Sequence, residues 1–263
     1  MKLSISNIGW AAKDDINIYV LMKEYGYSGL EIAPTRIFSN NPYDKLEDVK
    51  IWSENLKREH NFVISSMQSI WYGRSENIFG TENERKILID YTKKAIKFAA
   101  IIGCKNLVFG CSRNRRIMEE TDAELAISFF KEIGDYAASQ GTVIGMEANP
   151  SIYNTNYIND TISALELIQQ VDSKGFMLNL DVGTMIQNGE MVKELVGNVR
   201  LVNHVHISEP GLKRIKRREI HEELYDILKI EGYQGFISIE MEKTDNMLEV
   251  EEVLQYVNSI FER

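Results

Sequence analysis

Four stretches in the second half of the chain decide the fold: Val143-Ile144-Gly145-Met146-Glu147, Met177-Leu178-Asn179-Leu180-Asp181, His204-Val205-His206 and Ile237-Ser238-Ile239-Glu240. Each is a short apolar run of the kind that forms a strand buried on both faces, and each carries an ionisable side chain at or near its end. Glu147, Asp181, His206 and Glu240 follow one another at separations of 34, 25 and 34 residues, about one βα unit each time. Four strands in phase therefore bring carboxylate, carboxylate, imidazole and carboxylate to one rim.

Similar runs recur along the whole chain, at Lys2 to Ile8, Gly29 to Ala33, Phe62 to Met67, Asn106 to Phe109, Val143 to Met146, Phe176 to Leu180, Leu201 to Ile207 and Gly235 to Ile239. Between them lie helical patterns with one apolar face, such as Ile87, Leu88, Tyr91, Ala95, Phe98, Ala99 and Ile102. Another is Leu125, Ala126, Phe129, Phe130, Ile133 and Ala137. Thr121 with Glu124 reads as a capping box, and Gly26, Gly103, Gly141, Gly175 and Gly232 read as left-handed helix ends. Strands that alternate with helices run parallel, and right-handed crossovers close them into a (β/α)8 TIM barrel of the α/β class. An open doubly wound sheet is the rival arrangement. No linker or low-complexity tract divides residues 1–263, so one barrel domain is expected.

The 263 residues suit such a barrel, whose usual length is roughly 250. Thirty basic against 39 acidic residues leave a net charge of -9, which disfavours nucleic acid and favours a small-molecule partner. Cys104 and Cys111 suggest neither a disulfide framework nor a thiolate zinc cage. With no leader-like start and no run of roughly 20 apolar residues, a cytoplasmic protein without a membrane partner is expected, with homo-oligomerisation left open.

Three carboxylates on one buried rim repel one another and raise one another's pKa unless a cation lies between them, and a divalent metal resolves that conflict. A single acid after a strand often only caps the next helix or pairs with lysine; four in phase point to a site. His206 is nearer the carboxyl end than His204, so His206 is taken as the ligand and His204 as support or core. Three oxygens and one imidazole nitrogen suit manganese first, with magnesium, cobalt or zinc as alternatives, and do not suit a structural zinc centre.

With these positions the chain resembles the xylose-isomerase-like barrel superfamily, in particular its sugar-phosphate isomerase and epimerase group, which includes ketose 3-epimerases and hydroxypyruvate isomerase. The resemblance spans nearly the whole chain. It implies one divalent ion on Glu147, Asp181, His206 and Glu240, with Glu147 and Glu240 also acting as the acid/base pair on either side of a substrate carbon. A departure accompanies it: many relatives carry a histidine three residues after the strand-six aspartate, where this chain has Thr184. The segment His206-Ile207-Ser208-Glu209-Pro210 also resembles the epimerase pattern, which makes Glu209 a histidine-orienting or substrate group. Lys213 falls near a basic substrate ligand of the relatives, and Gln68 falls where related endonucleases carry a metal-binding histidine.

Other residues after strands are candidates for shaping a pocket: Glu31, Gln68, Trp71, Arg113, Asn114, Arg115 and Asn149. An Arg113–Arg115 pair could grip a phosphate or carboxylate, against the alternative of a solvated loop. Trp71 reads equally as core or as a wall for a sugar ring, and Asn149 as a substrate contact or a turn before Pro150. The basic run Lys213 to Arg218 lacks interleaved aromatics and reads as a solvated loop and helix start. His60 and His221 are expected at the surface, and nothing marks Cys111 as a nucleophile. The leading function is a metal-dependent isomerase or epimerase of a keto sugar, sugar phosphate or related polyol. The alternatives are a ketocyclitol dehydratase, a non-catalytic sugar-binding barrel, and a hydrolase of the abasic-site endonuclease type, which resembles a three-zinc site richer in histidine than a chain with four.

Overall fold

The computed structural model describes residues 1–117 and 123–263. Its strands are β1 (Lys2–Ser6), β2 (Gly29–Ile32), β3 (Val63–Met67), β4 (Leu107–Phe109), β5 (Ile144–Met146), β6 (Phe176–Asp181), β7 (Val202–Ile207) and β8 (Phe236–Ile239). They are parallel, pair in sequence order and close through β1 and β8, giving the eight-stranded barrel that the sequence pattern predicts. The helices are α1 (Asp15–Glu24), a short α2 (Pro34–Ile37), α3 (Leu46–His60), α4 (Glu82–Ile101), α5 (Ala123–Ser139), α6 (Thr161–Val171), α7 (Val182–Asn188), α8 (Glu219–Ile230) and α9 (Met247–Phe261). None among the described residues is long and apolar enough to cross a membrane.

Strand alternation sorts the core into two zones. Leu3, Ile5, Leu30, Ile32, Val205, Ile207, Ile237 and Ile239 are buried in the apolar cluster that packs under the helices. The alternate positions are buried polar groups: Ser4, Ser6, Glu31, Ser66, Asn179, His204, His206 and Ser238. A barrel interior is usually filled by branched apolar side chains, so this polar filling needs hydrogen bonds throughout. All but one of these groups have them: Ser4 Oγ meets Ser65 Oγ at 2.5 Å, and Asn106 Nδ2 donates to Ser66 Oγ at 2.9 Å and to Asn179 Oδ1 at 3.1 Å, whereas Ser238 Oγ has no partner among the described residues.

The helices follow their apolar stripes. Ala126, Phe129, Phe130, Ile133 and Ala137 of α5 are all buried, and each large side chain among them contributes about 1.5–3 kcal/mol on leaving water. At the start of α4, Thr81 Oγ1 accepts from the Glu84 amide at 3.2 Å while Glu84 Oε2 accepts from the Thr81 amide at 2.8 Å, which satisfies two orphan donors. The capping box expected from Thr121 lies outside the described residues.

Two sequence expectations change. Gly26, Gly103, Gly141 and Gly232 do have positive φ, but Gly175 does not; a Cβ there would overlap the Gly134 carbonyl oxygen, so close approach of α5 to β6 is what requires glycine. The left-handed end of α6 is taken by Asp172, with φ 45°. His221 is not at the surface: it is fully buried on α8, with Nδ1 2.8 Å from Tyr256 Oη.

Burial pushes the His221 imidazole down to about 4, so the native state holds it neutral. Because the unfolded chain binds this proton more readily, the stability is intact above the ordinary histidine value and falls as pH drops from about 6.5 to about 4. Wild-type protein should therefore lose about 3 kcal/mol more than a folded His221→Gln variant between pH 7 and pH 4, as read by urea denaturation; parallel losses would remove His221 as the cause.

Candidate metal and acid–base site

Register sets the floor of the site. Asp181 pairs with His206 across β6 and β7, and His206 pairs with Ser238 across β7 and β8. A slip of one residue would turn the whole set to the helical side. Glu147 and Glu240 stand one residue beyond β5 and β8, held by their amides bonding to Phe109 O at 3.2 Å and Ile207 O at 3.0 Å. One ligand atom from each of Glu147, Asp181, His206 and Glu240 lies within 4.8 Å of the others. A Cβ on Gly110, just after β4, would come within 2.5 Å of Glu147 Oε1, so glycine at this position leaves the carboxylate room.

The ring of His206 points Nδ1 at this cluster, 3.1 Å from Glu147 Oε2 and 3.2 Å from Glu240 Oε2. Its Nε2 lies 2.9 Å from Glu31 Oε2, which is also 3.1 Å from His204 Nε2. Glu31 is completely buried and also accepts from Gln68 Nε2 at 3.1 Å. Glu31, His204 and His206 could by spacing hold an ion, but their facing atoms already bond one another, which makes the trio a support under the upper cluster.

The carboxylates are held from several sides. Glu147 Oε1 accepts from Asn149 Nδ2 and Oε2 from Asn179 Nδ2, both at 3.0 Å. Glu240 Oε1 accepts from Gln68 Nε2 at 3.0 Å. Asp181 caps α7, accepting from the Thr184 amide at 2.6 Å and from Ser208 Oγ at 2.5 Å.

Charge crowding shows in the proton affinities. Burial, reinforced by Glu147, raises Asp181 to about 6. Burial, reinforced by Glu147 and Glu31 against the pull of His206, raises Glu240 to about 7. Burial alone would also raise Glu31, yet the facing His206 and the bonds from both imidazoles hold it well below the carboxylate range. Burial opposes a charged His206, but Glu31 and Glu240 outweigh it and raise that imidazole well above its usual value. These are signs of a cluster short of positive charge. Three carboxylates and one imidazole nitrogen, converging without thiolate, fit a hard or borderline divalent ion.

Above the floor opens a cavity of about 530 Å³ bordered by Glu147, Asp181 and Glu240, a size suited to a small ligand. Gln68, Asn149, Glu209 and Arg113 also border it, Arg113 from an exposed position. Contacts set the places of the other expected residues. Glu209 does not orient a histidine: both its oxygens bind Arg218 at 2.6 Å, and Glu31 fills the orienting place. Lys213 is exposed and absent from the cavity wall, where Leu212 stands instead. Trp71 borders the cavity but is buried, its indole N–H donating to Thr92 Oγ1 at 2.8 Å and its ring edge-on to Phe109. Arg115 does not pair with Arg113 at the wall; it is completely buried behind Asn149. Asn149 lines the cavity and bridges Arg115 and Glu147. Cys111 lines the cavity with its thiol pushed up to about 12 by burial, which leaves little thiolate.

Sequence reasoning passed over Asn179 and the supporting role of Glu31. A signal existed for both: Asn179 is two residues before Asp181 on the same strand face, and Glu31 sits on β2 with the inward phase of Ser4 and Ser6.

A family described as the xylose isomerase-like TIM barrel matches residues 20–260, and the chain belongs to it. No curated protein matches the sequence. Among solved structures, it is similar to 3-keto-D-glucoside 4-epimerase YcjR from E. coli, with TM-score 0.77, 18% identity, and coverage of 98% of this chain and 99% of that one. D-Psicose 3-epimerase from Clostridium cellulolyticum gives TM-score 0.77 at 17% identity, covering 99% of both chains. An AP endonuclease of family 2 from Brucella melitensis gives TM-score 0.75 at 18% identity, covering 97% of this chain and 98% of that one. At these identities the likeness is one of fold.

Replacing Glu31 by Gln keeps its bulk but removes the acceptor charge behind His206. Calorimetric titration with Mn2+ should show affinity about 10–100-fold weaker in Glu31→Gln than in wild type; equal affinities would mean that other contacts hold the ring.

Proposed function

We propose that this protein is a divalent-metal-dependent isomerase or epimerase of a small keto sugar, sugar phosphate or related polyol, moving a proton next to a carbonyl between Glu147 and Glu240. The observation that carries the reading is the convergence of Glu147, Asp181, His206 and Glu240 within 4.8 Å at the base of a ligand-sized cavity. Two of the similarly folded proteins named above are epimerases, which agrees with it. A three-metal hydrolase fits less well, because His60 and His221 lie on the outer helices α3 and α8 and leave only His204 and His206 in the barrel.

Glu147, Asp181, His206 and Glu240 would hold the ion, which when bound supplies positive charge that offsets negative charge developing on a substrate oxygen. The protein's own contribution is positional. Glu147 and Glu240 follow strands three places apart in the barrel, so they approach the cavity from different sides. Each keeps one oxygen near His206 and the other on an amide, Asn149 for Glu147 and Gln68 for Glu240. A carboxylate so restrained meets a substrate carbon in one orientation, and two such groups can take a proton at one face and return one at the other. The apolar wall, including Trp71, Val108 and Leu212, limits water around the reacting carbon.

Purified protein reconstituted with Mn2+ should contain about one ion per chain. A panel of ketoses including D-psicose, D-tagatose and D-fructose, incubated in D2O, should include one that gains solvent deuterium beside its carbonyl. Glu147→Gln and Glu240→Gln should each slow that exchange by about 10²–10⁴-fold. Exchange persisting in both variants would remove the two-glutamate mechanism, and absence of metal after reconstitution would remove the site.

A further inference from the structure

Two local costs meet on one side chain that belongs to neither the acid cluster nor the cavity wall. Arg115 is completely buried, with no carboxylate pairing with it among the described residues. Burial lowers its pKa to about 10, so it stays a cation at neutral pH. Nη1 donates to Glu147 O at 2.8 Å and Phe109 O at 3.3 Å, and Nη2 donates to Asn149 Oδ1 at 2.8 Å and Ile158 O at 3.4 Å. Nε has no hydrogen-bond partner among the described residues, so this buried cation, with no carboxylate pairing with it there, is expensive to hold.

The second cost is in the backbone. Ile158 has φ 56°, the left-handed region that a β-branched residue rarely enters. Strain of this kind is unfavourable and persists where surrounding contacts over-determine it. What it achieves is local: the Ile158 carbonyl faces Arg115 and also accepts from the Asn149 amide at 3.1 Å.

Both costs fix Asn149. A guanidinium can only donate, so the amide oxygen of Asn149 must face Arg115 and its NH2 group must face the other way. That NH2 donates to Glu147 Oε1 at 3.0 Å. We infer that Arg115 is a positioning residue for the reaction: through Asn149 it fixes the orientation of the Glu147 carboxylate, with the strained Ile158 carbonyl completing the clamp. The inference rests on the acid–base and ligand role given to Glu147 above.

Asn149→Asp separates positioning from folding, since it pairs Arg115 with a carboxylate while replacing the donor to Glu147 by an acceptor. It should fold, bind Mn2+ about 10–100-fold more weakly, and at saturating Mn2+ show a kcat for deuterium exchange about 10²-fold lower, with KM within about 3-fold of wild type. Wild-type Mn2+ affinity and kcat in folded Asn149→Asp would overturn the inference. Arg115→Met should lose kcat similarly, and should lose nothing further when Asn149 is already Ala; losses that multiply in the double variant would show Arg115 acting independently and would also overturn it. Should Arg115→Met not fold, Asn149→Asp decides. A crystal structure of the folded variant tests the clamp apart from activity. A displaced Glu147 carboxylate supports it even if wild type binds no Mn2+ and exchanges no ketose, which would sink the proposed function alone, whereas an unmoved Glu147 sinks the clamp.

Discussion

The structure depends on holding like charges together away from water. Glu147, Asp181 and Glu240 converge within 4.8 Å, and Glu31 lies beneath them with no exposure at all. At such separations repulsion in a protein interior amounts to several kcal/mol per pair at an effective dielectric constant of about 20. The surrounding donors answer it one oxygen at a time: Asn149 and Asn179 on Glu147, Gln68 on Glu240 and Glu31, Ser208 and the Thr184 amide on Asp181. The imidazole of His206 touches three of the four acids.

That requirement reaches down the barrel. Asn179 can donate to Glu147 because its carbonyl oxygen is occupied by Asn106, and Asn106 is in turn held by Ser66 and by Asn203 Nδ2 on its oxygen at 2.9 Å. An amide with its oxygen fixed has its nitrogen fixed too. The polar filling of the interior thus transmits orientation upward from the lower strands to the acid cluster, and stability comes mainly from the other strand face, where apolar residues pack under helices.

Alternation and spacing made the barrel legible in the sequence, because the polar residue after each buried run has the same phase on β5, β6, β7 and β8. Alternation puts His204 and His206 on one strand face, and only height separates them, His206 standing nearer the carboxyl end of β7. Contacts set by folding rather than by spacing were not legible. Glu31 lies within β2 and Glu209 just after β7, and only the fold shows that Glu31 meets His206 while Arg218 takes Glu209. Arg115 follows β4 as a pocket residue would, but the return of the β5–α6 segment past it covers it. His221 has a helical position that could face either way, and Tyr256 of α9 draws it inward.

Floor and wall are therefore under different constraints. On the floor nearly every polar atom has an assigned partner, so substitutions there disturb several others at once. Thr184 is an example: its amide donates to Asp181 Oδ1 at 2.6 Å and its hydroxyl donates to Ala148 O at 2.9 Å, which helps hold the carboxylate and commits the hydroxyl proton to the backbone. Under the proposed function, polar contacts to a substrate would come largely from the wall, where Arg113 is exposed and Tyr153 Oη accepts from the Gly211 amide at 2.8 Å. Under the proposed function, a floor locked by hydrogen bonds would favour one kind of proton transfer, and a wall built on loops would leave the choice of substrate free to change without disturbing it.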